Sequence, residues 1–176
     1  GISGQTEERK YAHPWNNNRL YLYNGTLEIL GTISNWNLWV NLREGAKLKL
    51  AESSDSLLGH PSGYNQYDIA SGCGLEIMGK VRVGCLRIDV KSGGSLIFDP
   101  KECAINPAAG AANNLYPSHI ENKGTMMMTN GFHISGKSKN GDVLSFDLRQ
   151  TAGTFVVGGD IVSEMDSGPA RFVLNG

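Results

Sequence analysis

A short phrase recurs along the chain, and its clearest copy reads Asn24-Gly25-Thr26-Leu27-Glu28-Ile29-Leu30-Gly31-Thr32-Ile33. A glycine opens the phrase, a small or polar residue follows, and apolar residues then take alternate positions. This alternation is typical of β-strands, because successive side chains of a strand point to opposite faces. Further copies open at Gly45, Gly74, Gly94, Gly124 and Gly153, and a degenerate seventh copy reads Ala170-Arg171-Phe172-Val173-Leu174.

The spacing of the opening glycines indicates a solenoid. Successive copies begin 20, 29, 20, 30 and 29 residues apart. A unit of two or three strands, with insertions of about ten residues in some copies, explains both spacings. The sequence therefore predicts one solenoid domain over residues 20–176, with insertions at about 53–67 and 100–117, and an N-terminal arm or cap over residues 1–19.

Composition restricts the class of protein. Glycine supplies 23 of the 176 residues, about 13% where about 7% is usual, which suits a chain rich in tight turns. The net charge of -1 argues against a broad basic surface for nucleic acid. No stretch approaches about 18 consecutive apolar residues, so no membrane-spanning helix is predicted.

The sequence favours an all-β fold, a right-handed parallel β-helix of about six to seven coils. No convincing helical period of 3.6 residues is present. The alternative is an antiparallel β-sandwich or jelly roll, since pairs such as Asn130-Gly131 favour the tight turns of β-hairpins. The recurrence of the glycine-led phrase makes the β-helix the preferred prediction.

The phrase over residues 24–33 resembles the coils of right-handed parallel β-helix proteins on bacterial surfaces, such as autotransporter passengers and filamentous-haemagglutinin-like adhesins. Similar phrases open at Gly124 and Gly153. The resemblance covers about residues 20–176 and concerns the style of the repeat. It implies a β-helical scaffold that is secreted or displayed on a cell surface.

Motifs of catalytic chemistry are scarce, so we predict no catalytic residue and lean against an enzyme. A glycoside hydrolase needs two carboxylates that face one cleft, and Asp142 with Asp160 is the pair we would expect to converge within about 10 Å in that case. The densest acidic group, Asp160, Glu164 and Asp166, is the candidate metal site. No cofactor is otherwise indicated, and Ca²⁺ is the ion that such oxygen ligands would hold.

Aromatic residues are the candidate ligand contacts. Exposed tyrosine and tryptophan rings are common platforms for sugars and for protein partners. The predicted ligand-binding residues are Tyr64, Tyr67 and Tyr116, which fall in the two insertions, and Trp36. The aromatic residues near the N-terminus, which include Trp15, Tyr21 and Tyr23, are interpreted as a cap that closes one end of the stack.

Three cysteines, Cys73, Cys85 and Cys103, allow one disulfide with a free thiol or three reduced thiols, and the sequence leaves both open. The chain has no basic or apolar leader and stops just after a strand-like run, which suggests part of a longer protein. We therefore expect a non-enzymatic structural or adhesion module of a larger secreted or cell-surface protein. Its expected partners are a glycan or protein of a host or cell surface, with no nucleic acid and no membrane insertion. The alternative is a carbohydrate-binding or polysaccharide-cleaving domain.

Overall fold

The computed structural model of the chain describes residues 2–4, 18–35, 38–58, 65–83, 86–105, 118–136, 146–165 and 170–174. These residues form twenty β-strands and no helix. All pairings between neighbouring strands in this part of the chain are parallel. The strands form three sheets, which we call A, B and C.

The strands are as follows, in the order in which they lie in each sheet. Sheet A contains β1 (Ile2–Gly4), β4 (Thr32–Asn35), β7 (Asp55–Leu58), β10 (Lys80–Val83), β13 (Glu102–Ile105), β16 (Phe132–Gly136) and β19 (Ile161–Met165). Sheet B contains β2 (Asn18–Tyr23), β5 (Leu38–Arg43), β8 (Asn65–Ile69), β11 (Leu86–Val90), β14 (Ser118–Asn122), β17 (Phe146–Gln150) and β20 (Ala170–Leu174). Sheet C contains β3 (Thr26–Ile29), β6 (Lys47–Leu50), β9 (Gly74–Ile77), β12 (Ser95–Phe98), β15 (Thr125–Met128) and β18 (Thr154–Val157).

Successive strands lie in sheets A, B and C in that fixed order, and each set of three strands forms one coil of a parallel β-helix of about six coils. Right-handed is the hand that crossovers between parallel strands take in nearly every case. The predicted β-helix is thus confirmed, and the antiparallel sandwich is wrong because no described strand pairs with the one that follows it.

The six glycine-led phrases all open strands of sheet C, from β3 to β18. The degenerate phrase at Ala170–Leu174 differs, because it is β20 of sheet B. The shorter apolar runs between the phrases supply sheets A and B. The glycine-led repeat in the sequence therefore marks the strands of sheet C, and the strands of sheets A and B lie between its successive copies.

The two asparagine–glycine pairs that the structure describes serve as corners of the coil rather than as hairpins. Asn24 and Gly25 have φ values of 58° and 72°, a left-handed conformation that asparagine and glycine adopt most easily. They join β2 to β3, which lie in different sheets. Asn130 and Gly131 likewise join β15 of sheet C to β16 of sheet A. The sequence predicted a tight turn at each pair, but the two strands on either side of the turn lie in different sheets and do not pair with each other.

The core is a column of stacked apolar side chains inside the coil. In sheet C, Leu48 stacks on Leu75 and Leu75 on Leu96, in register, and all three are at most 1% exposed. In sheet B, Val40 lies in register with Tyr67. Burial of about 25 cal/mol for each Å² of apolar surface supplies the driving force for such stacking.

Long connections occur at one corner of the coil, where the chain passes from sheet A to sheet B; we call it the A–B corner. Between two and thirteen residues separate the strands there, whereas two to four residues separate them at the other two corners. The predicted insertion at 53–67 contains β7 and the start of β8, and the one at 100–117 contains β13. The predicted arm over residues 1–19 includes β1, which pairs with β4, and the first two residues of β2.

Two of the three cysteines, Cys73 and Cys103, are buried free thiols, and Cys85 lies outside the described residues. Burial raises the pKa of the Cys103 thiol to about 12. In the described ranges, no segment has the helical form, length and apolarity that a membrane crossing would require.

Candidate functional site

The outward positions of sheet B combine aromatic, acidic and basic side chains on one continuous surface. Because side chains alternate along a strand, Leu38, Val40 and Leu42 of β5 point into the core, while Trp39 and Asn41 point outward. The same alternation applies to each strand of the sheet. The outer face of sheet B, as we use the name, comprises Arg19, Tyr21, Tyr23, Trp39, Asn41, Arg43, Gln66, Asp68, Arg87, Asp89, Lys91, His119, Glu121, Lys123, Asp147 and Arg149.

The parallel register aligns these side chains in rows along the helix axis. One row runs Arg19, Trp39, Gln66, Arg87, His119, Asp147. The next row runs Tyr21, Asn41, Asp68, Asp89, Glu121, Arg149. Neighbouring strands lie about 4.8 Å apart, so the surface from β2 to β17 extends about 24 Å.

The N-terminal end of this face is aromatic. Tyr21 and Tyr23 are 45% and 58% exposed, and their ring planes are nearly parallel, at 15°, with centroids 6.2 Å apart. The guanidinium of Arg19 lies 4.7 Å from the centroid of the Trp39 ring, a cation–π contact, and also donates a hydrogen bond to the Tyr21 hydroxyl. The exposed tyrosine pair offers the apolar ring surface that sugars and protein partners contact.

Polar groups beside the aromatic rings are held in place by hydrogen bonds. The Trp39 indole Nε1 donates to Asp68 Oδ2 at 2.5 Å, and Gln66 Nε2 donates to Asp68 Oδ1 at 3.0 Å. Arg43 donates to Asn41 Oδ1, whereas Asn41 Nδ2 is buried and has no hydrogen-bond partner within the described residues. These contacts fix the orientation of the half-buried tryptophan.

Ion pairs cover the C-terminal half of the face. The Arg87 Nε contacts both carboxylate oxygens of Asp89, at 2.8 and 3.0 Å, and Lys91 Nζ lies 3.8 Å from the same carboxylate. Arg149 donates to Asp147 at 2.9 Å. Each of these carboxylates belongs to the same sheet face as the cation that contacts it.

Glu121 and Lys123 form the most solvated of these pairs, with Nζ and Oε1 2.8 Å apart. The hydrogen bond from Lys123 lowers the pKa of Glu121, and the charges of Lys123, Arg87 and Lys91 act in the same direction. The same hydrogen bond and the negative charge of Glu121 raise the pKa of Lys123. A carboxyl group with a lowered pKa is poorly suited to act as a general acid near neutral pH.

Of the four predicted ligand-binding residues, Tyr67 lies within the described structure. Tyr67 lies on β8 with its ring in the core, fully buried, so its predicted place on an exposed loop is wrong. Its hydroxyl has no hydrogen-bond partner in the described part, and burial raises its pKa. Tyr64, Tyr116 and Trp36 lie outside the described residues.

Two of the three predicted metal ligands are described. Asp160 and Glu164 are both exposed, and Glu164 forms an ion pair with His133 of the neighbouring strand at 3.1 Å. Asp166 lies outside the described residues, as does Asp142, the predicted catalytic partner of Asp160. In the ranges that the structure describes, no group of three or more His, Cys, Asp or Glu side chains is arranged to hold a metal ion.

Sequence reasoning placed Tyr21 and Tyr23 in a terminal cap, but their rings lie on the outer face of sheet B. Their alternation with Leu20 and Leu22 was the available signal, because it assigns the leucines to the core and the tyrosines to the surface. Asp68 and Asp89 carried no comparable signal. Each follows a core residue in a strand-like run, which by itself predicts only a solvated acid.

No protein-family model, curated protein or solved structure matches this chain.

Proposed function

We propose that this chain is a non-enzymatic structural and adhesion module of a larger secreted or cell-surface protein, and that the outer face of sheet B is its contact surface. The observation that supports this most is the exposed tyrosine pair, Tyr21 and Tyr23. Large apolar rings that stay exposed beside an ordered polar network are typical of binding surfaces. The stack of coils beneath them is a rigid support, which reduces the entropy lost on binding.

The ion pairs of the face favour binding over catalysis. General acid–base hydrolysis of a glycoside needs one protonated and one ionised carboxyl group. Asp89 and Asp147 are each bound to a guanidinium, and the pKa of Glu121 is lowered by Lys123. The lowered pKa keeps the Glu121 carboxylate in the ionised form.

Carbohydrate binding is the second candidate, and a specific observation favours it as the form that adhesion takes. Tyr21 and Tyr23 offer aromatic faces, and the exposed Arg19 and half-buried Gln66 bring polar groups to the same end of the sheet. Sugar rings present apolar C–H faces together with hydroxyl groups, so a site for them combines aromatic and polar residues.

The test is a binding screen on immobilised glycans and cell-surface proteins with the purified chain and two double variants. Tyr21→Ala with Tyr23→Ala removes the exposed rings of the face. Val156→Ala with Val162→Ala is the matched control, because it removes exposed apolar side chains from sheets C and A. We expect the tyrosine variant to lose at least about fivefold in affinity for any ligand found and the control to bind as the parent chain does.

Three results would contradict the proposal. Ligand binding that neither Tyr21→Ala nor Tyr23→Ala affects would move the contact surface elsewhere. Release of new reducing ends from a bound polysaccharide would show that the chain is an enzyme. Absence of any bound glycan or protein would leave a purely structural role in place of adhesion.

A further inference from the structure

Acidic and basic side chains are buried unequally on the outer face of sheet B. The carboxylates of Asp89 and Asp147 are 5% and 1% exposed, and that of Glu121 is 28% exposed. Their basic partners are 38–51% exposed. The negative charges therefore lie beneath the surface, and the positive charges of Arg87, Lys91, Lys123 and Arg149 lie above them.

The other two sheets do not separate their charges in this way. On sheet A, Arg82 and Asp55 are both 52% exposed, and Lys80 and Glu102 are 49% and 62% exposed. On sheet C, Lys49 is 38% exposed and lies between Glu28 and Glu76, which are 49% and 30% exposed. In the described part of the chain, the outer face of sheet B is thus the sheet surface that presents mainly positive charge.

We propose that the outer face of sheet B binds a linear acidic polysaccharide, with carboxylate or sulfate groups, that lies along the helix axis. This inference rests on the proposed adhesion function and names its ligand class. The exposed cations in β11 and β17 and directly after β11 and β14 contact the acidic groups. Tyr21 and Tyr23 stack against sugar rings at the other end of the face.

The buried carboxylates position the cations for this ligand. A guanidinium has five N–H donors and an ammonium has three, so one carboxylate does not saturate either group. Asp147 fixes one side of Arg149, and the planar guanidinium can then meet a carboxylate or sulfate with its outer edge. Side chains that are already ordered lose less entropy when the ligand binds.

The charge density of the face suits a polysaccharide better than a nucleic acid. Double-stranded DNA carries about one negative charge for every 1.7 Å of its length, whereas the four cations here extend over three strands, about 10 Å, above buried carboxylates. The whole chain has a net charge of -1, which opposes approach of a dense polyanion. A polymer with about one acidic group for each sugar ring places fewer charges against this surface.

The experiment measures affinity for four probes: chondroitin sulfate, polygalacturonate, neutral dextran and single-stranded oligothymidylate, at low and physiological ionic strength. Lys91→Gln with Lys123→Gln removes two exposed cations of the face. Lys47→Gln with Lys80→Gln changes the net charge equally but on sheets C and A. Circular dichroism and the thermal midpoint verify that each variant is folded.

We expect the two acidic polysaccharides to bind and dextran to bind at least about tenfold more weakly. Loss of Lys91 and Lys123 should weaken acidic-polysaccharide binding by about tenfold and reduce its dependence on salt, while the control variant changes affinity less than twofold. Chondroitin sulfate carries sulfate as well as carboxylate groups and polygalacturonate carries carboxylates alone, so tighter binding of the first would indicate a preference for sulfate.

Four results would overturn the inference. Dextran bound as tightly as the acidic probes, with loss on Tyr21→Ala, would keep the adhesion function but exclude an acidic ligand. Oligothymidylate bound as tightly as chondroitin sulfate would point to nucleic acid. Equal loss in both lysine variants would show that only net charge matters. Failure of all four probes while a protein ligand binds through Tyr21 and Tyr23 would reject the polysaccharide and leave adhesion intact.

Discussion

Glycine residues at the corner between sheets B and C allow a quantitative test of how closely the coils stack. At Gly153 two costs coincide: φ is 75°, and a Cβ atom placed there would overlap the carbonyl group of Gly124 in the preceding coil. A left-handed conformation costs a residue with a side chain about 1–2 kcal/mol. Forcing packed groups apart costs about 1–3 kcal/mol more. We therefore expect Gly153→Ala to lower the free energy of unfolding by about 3 kcal/mol.

Three other glycines separate the two costs. Gly25 has a φ of 72° but no atom within 4 Å of the added Cβ, so Gly25→Ala should cost about 1–2 kcal/mol. At Gly124 the conformation is ordinary, but the Cβ would lie 2.6 Å from the carbonyl oxygen of Lys91, so the packing cost of about 1–3 kcal/mol applies. Gly31→Ala meets neither cost and should leave stability unchanged or raise it by about 0.5 kcal/mol.

The assay is urea unfolding of the four single variants, followed by circular dichroism and intrinsic fluorescence. Thermal midpoints provide a second measure, since about 3 kcal/mol corresponds to a fall of about 6–12 °C in a chain of this length. The reasoning fails if Gly153→Ala is no more destabilising than Gly25→Ala. That result would mean that the coils separate at little cost and that backbone contact does not restrict this corner.

Three further predictions concern single side chains. Trp39→Phe removes the indole N–H that donates a hydrogen bond to Asp68, so this variant should be less stable than the parent chain by about 1–3 kcal/mol. Tyr23→Phe serves as the control. Equal stability of the two variants in urea would refute the role given to this hydrogen bond. The pKa of Glu121 is lowered in the folded state, so its contribution to stability is present above the unfolded pKa of about 4.3 and is lost as the pH falls through the folded pKa. In the Lys123→Gln variant, NMR titration should show a higher pKa for Glu121. An unchanged pKa would contradict the assigned cause. The Cys103 thiol is buried and has a pKa of about 12, so it should resist iodoacetamide at pH 8 in the folded chain and react after denaturation. Site-resolved mass spectrometry measures the labelling. Rapid labelling of Cys103 in the folded chain would contradict its burial.

Sheet C could be predicted from the sequence because its period is visible in single residues. Each copy begins with a glycine-led turn, and inward residues such as Leu48 and Leu75 then alternate with outward ones. Sheet B is harder to recognise, since it accepts polar residues at inward positions. Asn65 is buried there, and its side-chain oxygen accepts a hydrogen bond from the Leu38 amide. The polar run before Tyr67 therefore resembled a loop, although Tyr67 is a core residue.

The outer face of sheet B could not be predicted in detail, because its contacts join residues from different coils. Trp39 and Asp68 are 29 residues apart, and Asp68 and Asp89 become neighbours only through the register of β8 and β11. That register depends on connection lengths that differ from coil to coil. A single sequence shows the residue types but not which coil brings them together.

The largest variation in connection length falls at the A–B corner, and this has a consequence for how such a molecule can change. Two residues separate Val83 from Leu86 there, and twelve separate Ile105 from Ser118, yet β11 and β14 still pair in register. Doubling a flexible connection adds only about 0.6 kcal/mol of closure entropy. Because the number of residues between the strands differs here while the strand register on either side is kept, we expect an insertion or deletion at this corner to leave the stacked core in place.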